Sequence, residues 1–259
     1  MDFLLKKNEF IRLISDLHLT SDPNRLNTFY AFIDQLPSNC KALFILGDFF
    51  DHWLGEDIHA NDYHELQSKL KNVTCPIFFL PGNRDFLVED SWLTNANLKK
   101  ITDPKIIYVN HKKILLTHGD QLCTLDKGYQ FYRIITRNKF TQFAFKCLPK
   151  ALRRNIFKHI RNQKKISGHV KKYAINAYSV DALCKAYQVN IMIHGHIHKP
   201  GIHLQKSIKR IVLDEWMPEN KQKHDISYLD INHTKSLHLS LIQTELFWRD
   251  CDRRHHRII

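Results

Sequence analysis

Five times in this chain a short apolar run breaks off in a side chain that can ligate a metal, and that recurrence restricts the fold more than any other feature. In Leu43-Phe44-Ile45-Leu46-Gly47-Asp48 the run is uncharged, β-prone, too short for a helix and closed by glycine. It reads as a buried strand that delivers a carboxylate at the mouth of a sheet. Phe10 to Ser15 runs into Asp16 and His18, Pro76 to Leu80 into Asn83, Lys113 to Thr117 into His118, and Asn190 to Ile193 into His196 and His198. Helix-like stretches lie between them, at Asn24 to Leu36, Tyr63 to Lys71 and Asn176 to Tyr187. Strands alternating with helices imply an α/β fold, in which ligands bind beyond the carboxyl ends of the strands.

The motifs differ in what each says alone. Asp16-Leu17-His18 fits a turn aspartate beside a surface histidine, and Pro81-Gly82-Asn83 fits an ordinary turn. His194-Gly195-His196-Ile197-His198 is more specific, because three imidazoles in five residues suit neighbouring metals better than a structural role. Arg84 is placed to clamp a phosphate, Asp120 to orient His118, and Asp51 either to cap the following helix or to join the site. Trp53, Glu56 and Asp57 read as a rim. Lys105 to Val109 pairs with Lys113 to Thr117 in a hairpin about Asn110. Gly201 to Lys206, Arg210 to Leu213, Asp225 to Ile231 and Leu237 to Leu241 read as antiparallel hairpins completing a second sheet. Arg253 to Arg257 reads as a disordered basic tail.

Charge marks off one segment. The formal net charge is +13, yet Lys127 to Val180 holds fourteen Lys or Arg and no Asp or Glu, leaving −1 for the remainder. Within it, aromatic and basic residues interleave at helical spacing (Tyr129, Phe131, Tyr132, Arg133, Phe140, Phe143, Phe157, Arg161), with a break near Pro149. Two or three inserted helices are expected. They could form a lid, rest on an anionic bilayer, hold nucleic acid, or present a solvated basic face. The chain of 259 residues is expected to form a single domain with an insertion over about residues 127–172. No apolar stretch approaches the roughly 18 to 20 residues of a membrane span, and no secretory signal is recognised. Six scattered cysteines without a CxxC pair fit a reducing cytosol.

Collected, the strand ends supply carboxylate, amide and imidazole donors enough for two divalent ions sharing one carboxylate; nitrogen and oxygen together favour Mn²⁺, Fe²⁺ or Zn²⁺ over Ca²⁺. Two such ions acidify a water and clamp the oxygens of an in-line displacement at phosphorus. Hydrolysis of a phosphate ester or anhydride is the chemistry indicated.

These motifs in this order resemble those of the calcineurin-like metallophosphoesterases. The resemblance implies a four-layer αββα sandwich with a basic helical cap inserted. By it Asp16, His18, Asp48 and His198 would hold one metal, Asp48, Asn83, His118 and His196 the other, with Asp48 bridging. Within the family, Trp53-Leu54-Gly55-Glu56-Asp57, Gly82-Asn83-Arg84-Asp85-Phe86-Leu87 and His118 to Asp126 are similar to the branch that splits the pyrophosphate of UDP-2,3-diacylglucosamine. That branch uses Mn²⁺, yields UMP and 2,3-diacylglucosamine 1-phosphate in lipid A biosynthesis, and sits peripherally on the cytoplasmic face of the inner membrane. The resemblance implies a two-metal-activated water attacking the α-phosphorus, with Asp48, Asn83, Arg84 and His118 catalytic. Asn83, Arg84, Asp126 and His196 would also touch substrate. Counting back from Ala174-Ile175-Asn176 puts Arg161, Lys165 and Gly168 at the cap's substrate positions, although a short gap would bring Ser167 or Lys171 there instead. The implied partners are a lipid-linked UDP-sugar and an anionic membrane surface; no nucleic acid is expected, because the Phe-rich insertion suits a lipid nucleotide better. A metallophosphoesterase-type nuclease or another phosphodiesterase is the competing expectation.

Overall fold

The computed structural model describes residues 1–166, 174–216, 225–233 and 240–245, with side chains left undescribed at 163–166, 225 and 240–245. In chain order its strands are β1 (Asp2–Phe3), β2 (Phe10–Ile14), β3 (Cys40–Leu46), β4 (Ile77–Leu80), β5 (Leu98–Lys100), β6 (Lys105–Val109), β7 (Lys112–Leu116), β8 (Ile191–His194), β9 (Gly201–Gln205), β10 (Ile208–Val212), β11 (Asp225–Asn232) and β12 (Ser240–Glu245). The helices are α1 (Pro23–Asp34), α2 (Glu56–His59), α3 (His64–Lys71), α4 (Asp90–Asn95), α5 (Lys127–Arg137), α6 (Lys139–Lys146), α7 (Lys150–Ile166) and α8 (Ala177–Tyr187).

Two sheets form, ordered β12-β11-β2-β3-β4-β5 and β1-β6-β7-β8-β10-β9. Alternation of side chains along each strand sorts the apolar residues onto two faces. Leu13, Phe44 and Leu80 of the first sheet meet Ile107, Leu116, Ile193 and Ile211 of the second in a core between the sheets. Ile14, Ile45 and Phe79 face outward and are covered by α1, α3 and α4 through Phe29, Leu66 and Trp92. On the far side Leu115 and Met192 meet Val180 and Cys184 of α8. Helix, sheet, sheet, helix is the expected sandwich. Each large apolar side chain so buried contributes roughly 1.5 to 3 kcal/mol.

Register explains why the strand ends converge. β2, β3 and β4 run parallel with Ile14 opposite Ile45 and Leu46 opposite Leu80, so Asp16, Asp48 and Asn83 leave the sheet along one edge. Leu116 opposes Ile193 in the second sheet, which brings His118 and His196 to its matching edge. Local chemistry sets the element ends: the Asp22 side chain accepts the Asn24 N–H where Pro23 opens α1, and Asn110 and His111 take φ of 47° and 67° in the tight β6–β7 turn.

Two expectations are corrected. The late strands do not complete one sheet: β9 pairs antiparallel with β10, itself parallel to β8, whereas β11 and β12 extend the first sheet beyond β2. Alternation in sequence marks a strand without naming its neighbour. Trp53 lies on no rim; it is 1% exposed, packs against Phe50 and Trp92 at ring distances of 4.8 and 5.3 Å, and donates its indole N–H to Glu89 Oε2 at 2.7 Å. An indole whose N–H finds a carboxylate can be buried in full.

Candidate metal centre

At the joined edges of the two sheets, Asp16, His18 and His198 form one group and Asp48, His118 and His196 a second, the donor atoms of each lying within 4.8 Å of one another. In the first, His18 Nε2 is 3.4 Å from His198 Nε2, and His198 Nε2 is 3.4 Å from Asp16 Oδ1. In the second, His118 Nε2 lies 3.5 Å from Asp48 Oδ1 and 2.9 Å from Asn83 Oδ1. All seven residues expected as ligands are thus gathered at this edge.

Side-chain orientation comes from neighbours in both sheets. His118 Nδ1 is 2.9 Å from the Leu46 carbonyl, which fixes the N–H there and turns Nε2 toward Asp48 and Asn83. Asp16 Oδ2 accepts the His196 N–H at 2.8 Å and lies 2.6 Å from Ser15 Oγ. Its other oxygen, Oδ1, is buried with no hydrogen-bond partner. A carboxylate oxygen, buried without a donor and beside imidazole nitrogens, fits a cation. His194, first of the three clustered imidazoles, points away: its Nδ1 meets the Gly195 carbonyl at 2.8 Å and its Nε2 lies 3.1 Å from Arg210 Nη1.

The electrostatics agree with a site built for positive charge. Burial opposes charge on His118, yet Asp48, Asp16 and Asp120 together push it up to about 9. Burial and the neighbouring His118 pull His196 down to about 3. Asp85 is pushed up to about 7 by burial and by Asp48, although it accepts the N–H groups of Gly82 at 2.7 Å and Phe49 at 2.6 Å. It ties the loop after β4 to the loop after β3.

A cavity of about 510 Å³ opens from the clusters. Its lining combines polar side chains, among them Asp48, Asn83, His196 and His198, with the apolar Phe86, Phe145, Ile156, Phe157 and Ile160. The helices 127–166 supply Phe145, Ile156, Phe157 and Ile160 of that lining and are fastened to the body by polar contacts. Tyr129 Oη and Arg133 Nε donate to Asp120 Oδ2 at 2.7 and 2.9 Å, and Arg137 Nη2 donates to the Gly82 carbonyl at 2.8 Å. Arg153, 3% exposed, donates to the Leu54 carbonyl at 2.6 Å and pairs with Asp57.

Several expected roles fall differently. Asp120 does not orient His118, since the Leu46 carbonyl does; Asp120 anchors α5. Asp51 caps no helix: it accepts from Arg84 Nη1 at 2.7 Å and Arg161 Nη1 at 3.2 Å. Asp126 is the N-cap of α5, accepting the Tyr129 N–H at 2.9 Å, and is not part of the cavity wall. Arg84 and Arg161 both line the cavity. The Lys165 side chain, Ser167, Gly168 and Lys171 lie outside the described residues, as does the tail at Arg253 to Arg257. Unforeseen were Asp85, Tyr129, whose ring stacks on His196 at 6.2 Å, and Glu215, whose Oε2 is 2.6 Å from His198 Nδ1. For Asp85 the signal was its place in Gly82-Asn83-Arg84-Asp85; for Glu215 a lone acid in a loop carried none.

Comparison with known proteins agrees with this geometry. The calcineurin-like phosphoesterase family matches residues 11–200. A protein of Shewanella loihica named UDP-2,3-diacylglucosamine hydrolase is 38% identical over 210 residues, covering 78% of this chain and 87% of that protein. Proteins of the same name from Proteus mirabilis and Aromatoleum aromaticum are 37% and 36% identical, covering 80% and 78% of this chain and 90% and 87% of their own lengths. The chain therefore belongs to the calcineurin-like phosphoesterases, among the relatives named UDP-2,3-diacylglucosamine hydrolase.

Proposed function

We propose that this protein hydrolyses the pyrophosphate bond of UDP-2,3-diacylglucosamine, releasing UMP and 2,3-diacylglucosamine 1-phosphate for lipid A biosynthesis. The observation that carries the proposal is the union of two metal-ligating clusters with a cavity lined by both polar and apolar side chains, matching a substrate with a charged diphosphate and greasy acyl chains. Asp16, His18, Asp48 and His198 would hold one ion, and Asp48, Asn83, His118 and His196 the second; the mixed nitrogen and oxygen donors suit Mn²⁺, Fe²⁺ or Zn²⁺, and the family resemblance points to Mn²⁺ among them. When bound, such a pair lowers the pKa of a water and offsets negative charge on phosphate oxygens.

The chain's own residues do the rest. The Leu46 carbonyl keeps the His118 proton on Nδ1, and Glu215 does the same for His198 at its Nδ1. Arg84, whose Nε is 3.4 Å from Asp48 Oδ2, stands where a phosphate oxygen meets the centre. The leaving group is a sugar 1-phosphate, a weak base, so no strong general acid is required. Phe86, Phe145 and Ile156 exclude water and receive hydrocarbon.

The same substrate would bring the protein to the cytoplasmic face of the inner membrane. Phe131, Ile134, Phe140 and Phe143 are 67, 69, 78 and 67% exposed on helices that carry basic residues and no acid. That composition suits an anionic bilayer. Among the described residues no helix is long and apolar enough to cross a membrane, so attachment would be peripheral. A nuclease of the same family is not favoured, because the similar proteins at 36 to 38% identity are named UDP-2,3-diacylglucosamine hydrolase.

Purified protein with Mn²⁺ and UDP-2,3-diacylglucosamine in detergent should release UMP. Asp48→Ala should lower that rate by at least about a hundredfold, the upper range seen when merely supporting residues of a metal site are removed. No UMP, or equal rates in the two proteins, would overturn the assignment.

A further inference from the structure

A chain of alternating charges runs through the cavity from the metal end to the cap. Asp48 Oδ2 is 3.4 Å from Arg84 Nε; Arg84 Nη1 donates to Asp51 Oδ1 at 2.7 Å; Arg161 Nη1, from α7, donates to Asp51 Oδ2 at 3.2 Å. His52 Nδ1 lies 3.1 Å from the same Oδ2, and its ring stacks on Phe157 of α7 at 4.5 Å and 18°. Asp51, His52, Arg84, Phe157 and Arg161 all line the cavity. One carboxylate thus holds two guanidiniums from different parts of the fold, each oxygen taking one of them.

We propose that Asp51 is a positioning residue that presents Arg84 and Arg161 together as a clamp for the two phosphates of a nucleoside diphosphate group. Arg84 stands nearer the metal end and would take the phosphate under attack; Arg161 would take the one that leaves. A guanidinium offers five N–H donors, more than a single carboxylate oxygen engages, so an ion pair can hold an arginine in place and still leave it able to bind an anion. Arginine is long and loses much freedom when it binds; fixing it beforehand through Asp51 removes part of that entropic cost at the moment of binding. The pairing also makes the phosphate end depend on the seating of α7, because Arg161 and Phe157 belong to that helix. The inference rests on the diphosphate-hydrolase reading of the site.

The test uses the full chain with Mn²⁺ and two probes that differ by one phosphate, UDP and UMP, titrated by calorimetry, together with KM and kcat for UDP-2,3-diacylglucosamine. Asp51→Asn should weaken UDP about tenfold and UMP no more than about threefold, since a hydrogen bond to a charged group is worth about that factor. KM should rise more than kcat falls, and Asp51→Glu should recover most of the loss. Arg161→Ala, at an exposed position of α7, should shift the UDP-to-UMP ratio in the same direction and guards against a misfolded Asp51 variant. The double variant should bind UDP little worse than Asp51→Asn alone, because both changes break one unit. Equal weakening of the two nucleotides, or additive losses in the double variant, would overturn the clamp. A wild type that releases no UMP sinks the hydrolase reading itself, whereas one that releases UMP yet binds UDP no better than UMP sinks only the clamp.

Discussion

Asp16, His18, Asp48, His196 and His198 take φ of 55°, 48°, 51°, 70° and 50°, so five of the seven candidate ligands sit in left-handed backbone. Each such residue costs of order 1 kcal/mol and persists because its surroundings over-determine it. Here the Asp16 N–H donates to the Gly47 carbonyl at 3.1 Å and the His18 N–H to the Asp48 carbonyl at 2.9 Å, so the loops after β2 and β3 hold each other in the strained shape. Gly82 completes the packing: a Cβ there would lie 2.2 Å from both the backbone nitrogen and Oδ1 of Asp48. Gly82→Ala is expected to destabilise the protein by about 2 kcal/mol, an overpacking cost, and to displace Asp48. A lowered melting temperature together with weakened Mn²⁺ binding in calorimetry checks it; a variant with wild-type values in both would contradict the packing argument.

At the scale of elements, α7 is fastened chiefly through Arg153. Its guanidinium is buried against the Leu54 carbonyl and Asp57, and Lys150 adds a 2.7 Å bond to the Asp57 carbonyl. Arg153→Ala leaves the Leu54 carbonyl without that donor and should cost about 1 to 3 kcal/mol, spent locally. Hydrogen exchange should quicken in α7 while β2 and β3 stay protected; uniform quickening would mean that the helix is not a separate unit. Beneath it, His59 of α2 packs between His52 and Trp53 at ring distances of 5.1 and 5.4 Å. Burial, aided by His52, pulls its pKa down to about 4 from 6.5. The folded state then binds fewer protons than the unfolded one between those values, so this contribution is complete above pH 6.5 and is lost as pH falls toward 4. His59→Gln should flatten the fall in melting temperature across that window, and an unaltered slope would assign the acid sensitivity elsewhere.

Taken whole, the molecule segregates its charge: the segment from Lys127 to Val180 carries all of the excess, and the same helices expose Phe131, Phe140 and Phe143. Binding to vesicles containing an anionic phospholipid should therefore exceed binding to zwitterionic ones and weaken on raising salt to about 0.5 M, where surface charges are screened within a few ångströms. Phe140→Ser with Phe143→Ser should weaken it further without changing the salt dependence, because the two act through hydrocarbon. Equal binding to both kinds of vesicle would remove the electrostatic part of the membrane reading.

Much of this was legible in the sequence. A strand that ends in a ligating side chain is a local pattern, and parallel strands must place such ends on one edge, so the convergence of Asp16, His18, Asp48, Asn83, His118, His196 and His198 was readable from the strand ends taken together, while their division between two ions came only from the family resemblance. The charge of the inserted helices and the turn at Asn110 were likewise matters of composition and neighbouring residues. Only the tertiary structure decided the partners. Asp51 meets Arg161 across 110 positions, Arg153 meets Asp57 across 96, and β11 joins β2 rather than β10. Nothing near a carboxylate in sequence states which distant cation will neutralise it, nor which edge a hairpin will extend. Those pairings arise when burial forces every polar group and sheet edge to find a complement, and that accounting closes only in three dimensions.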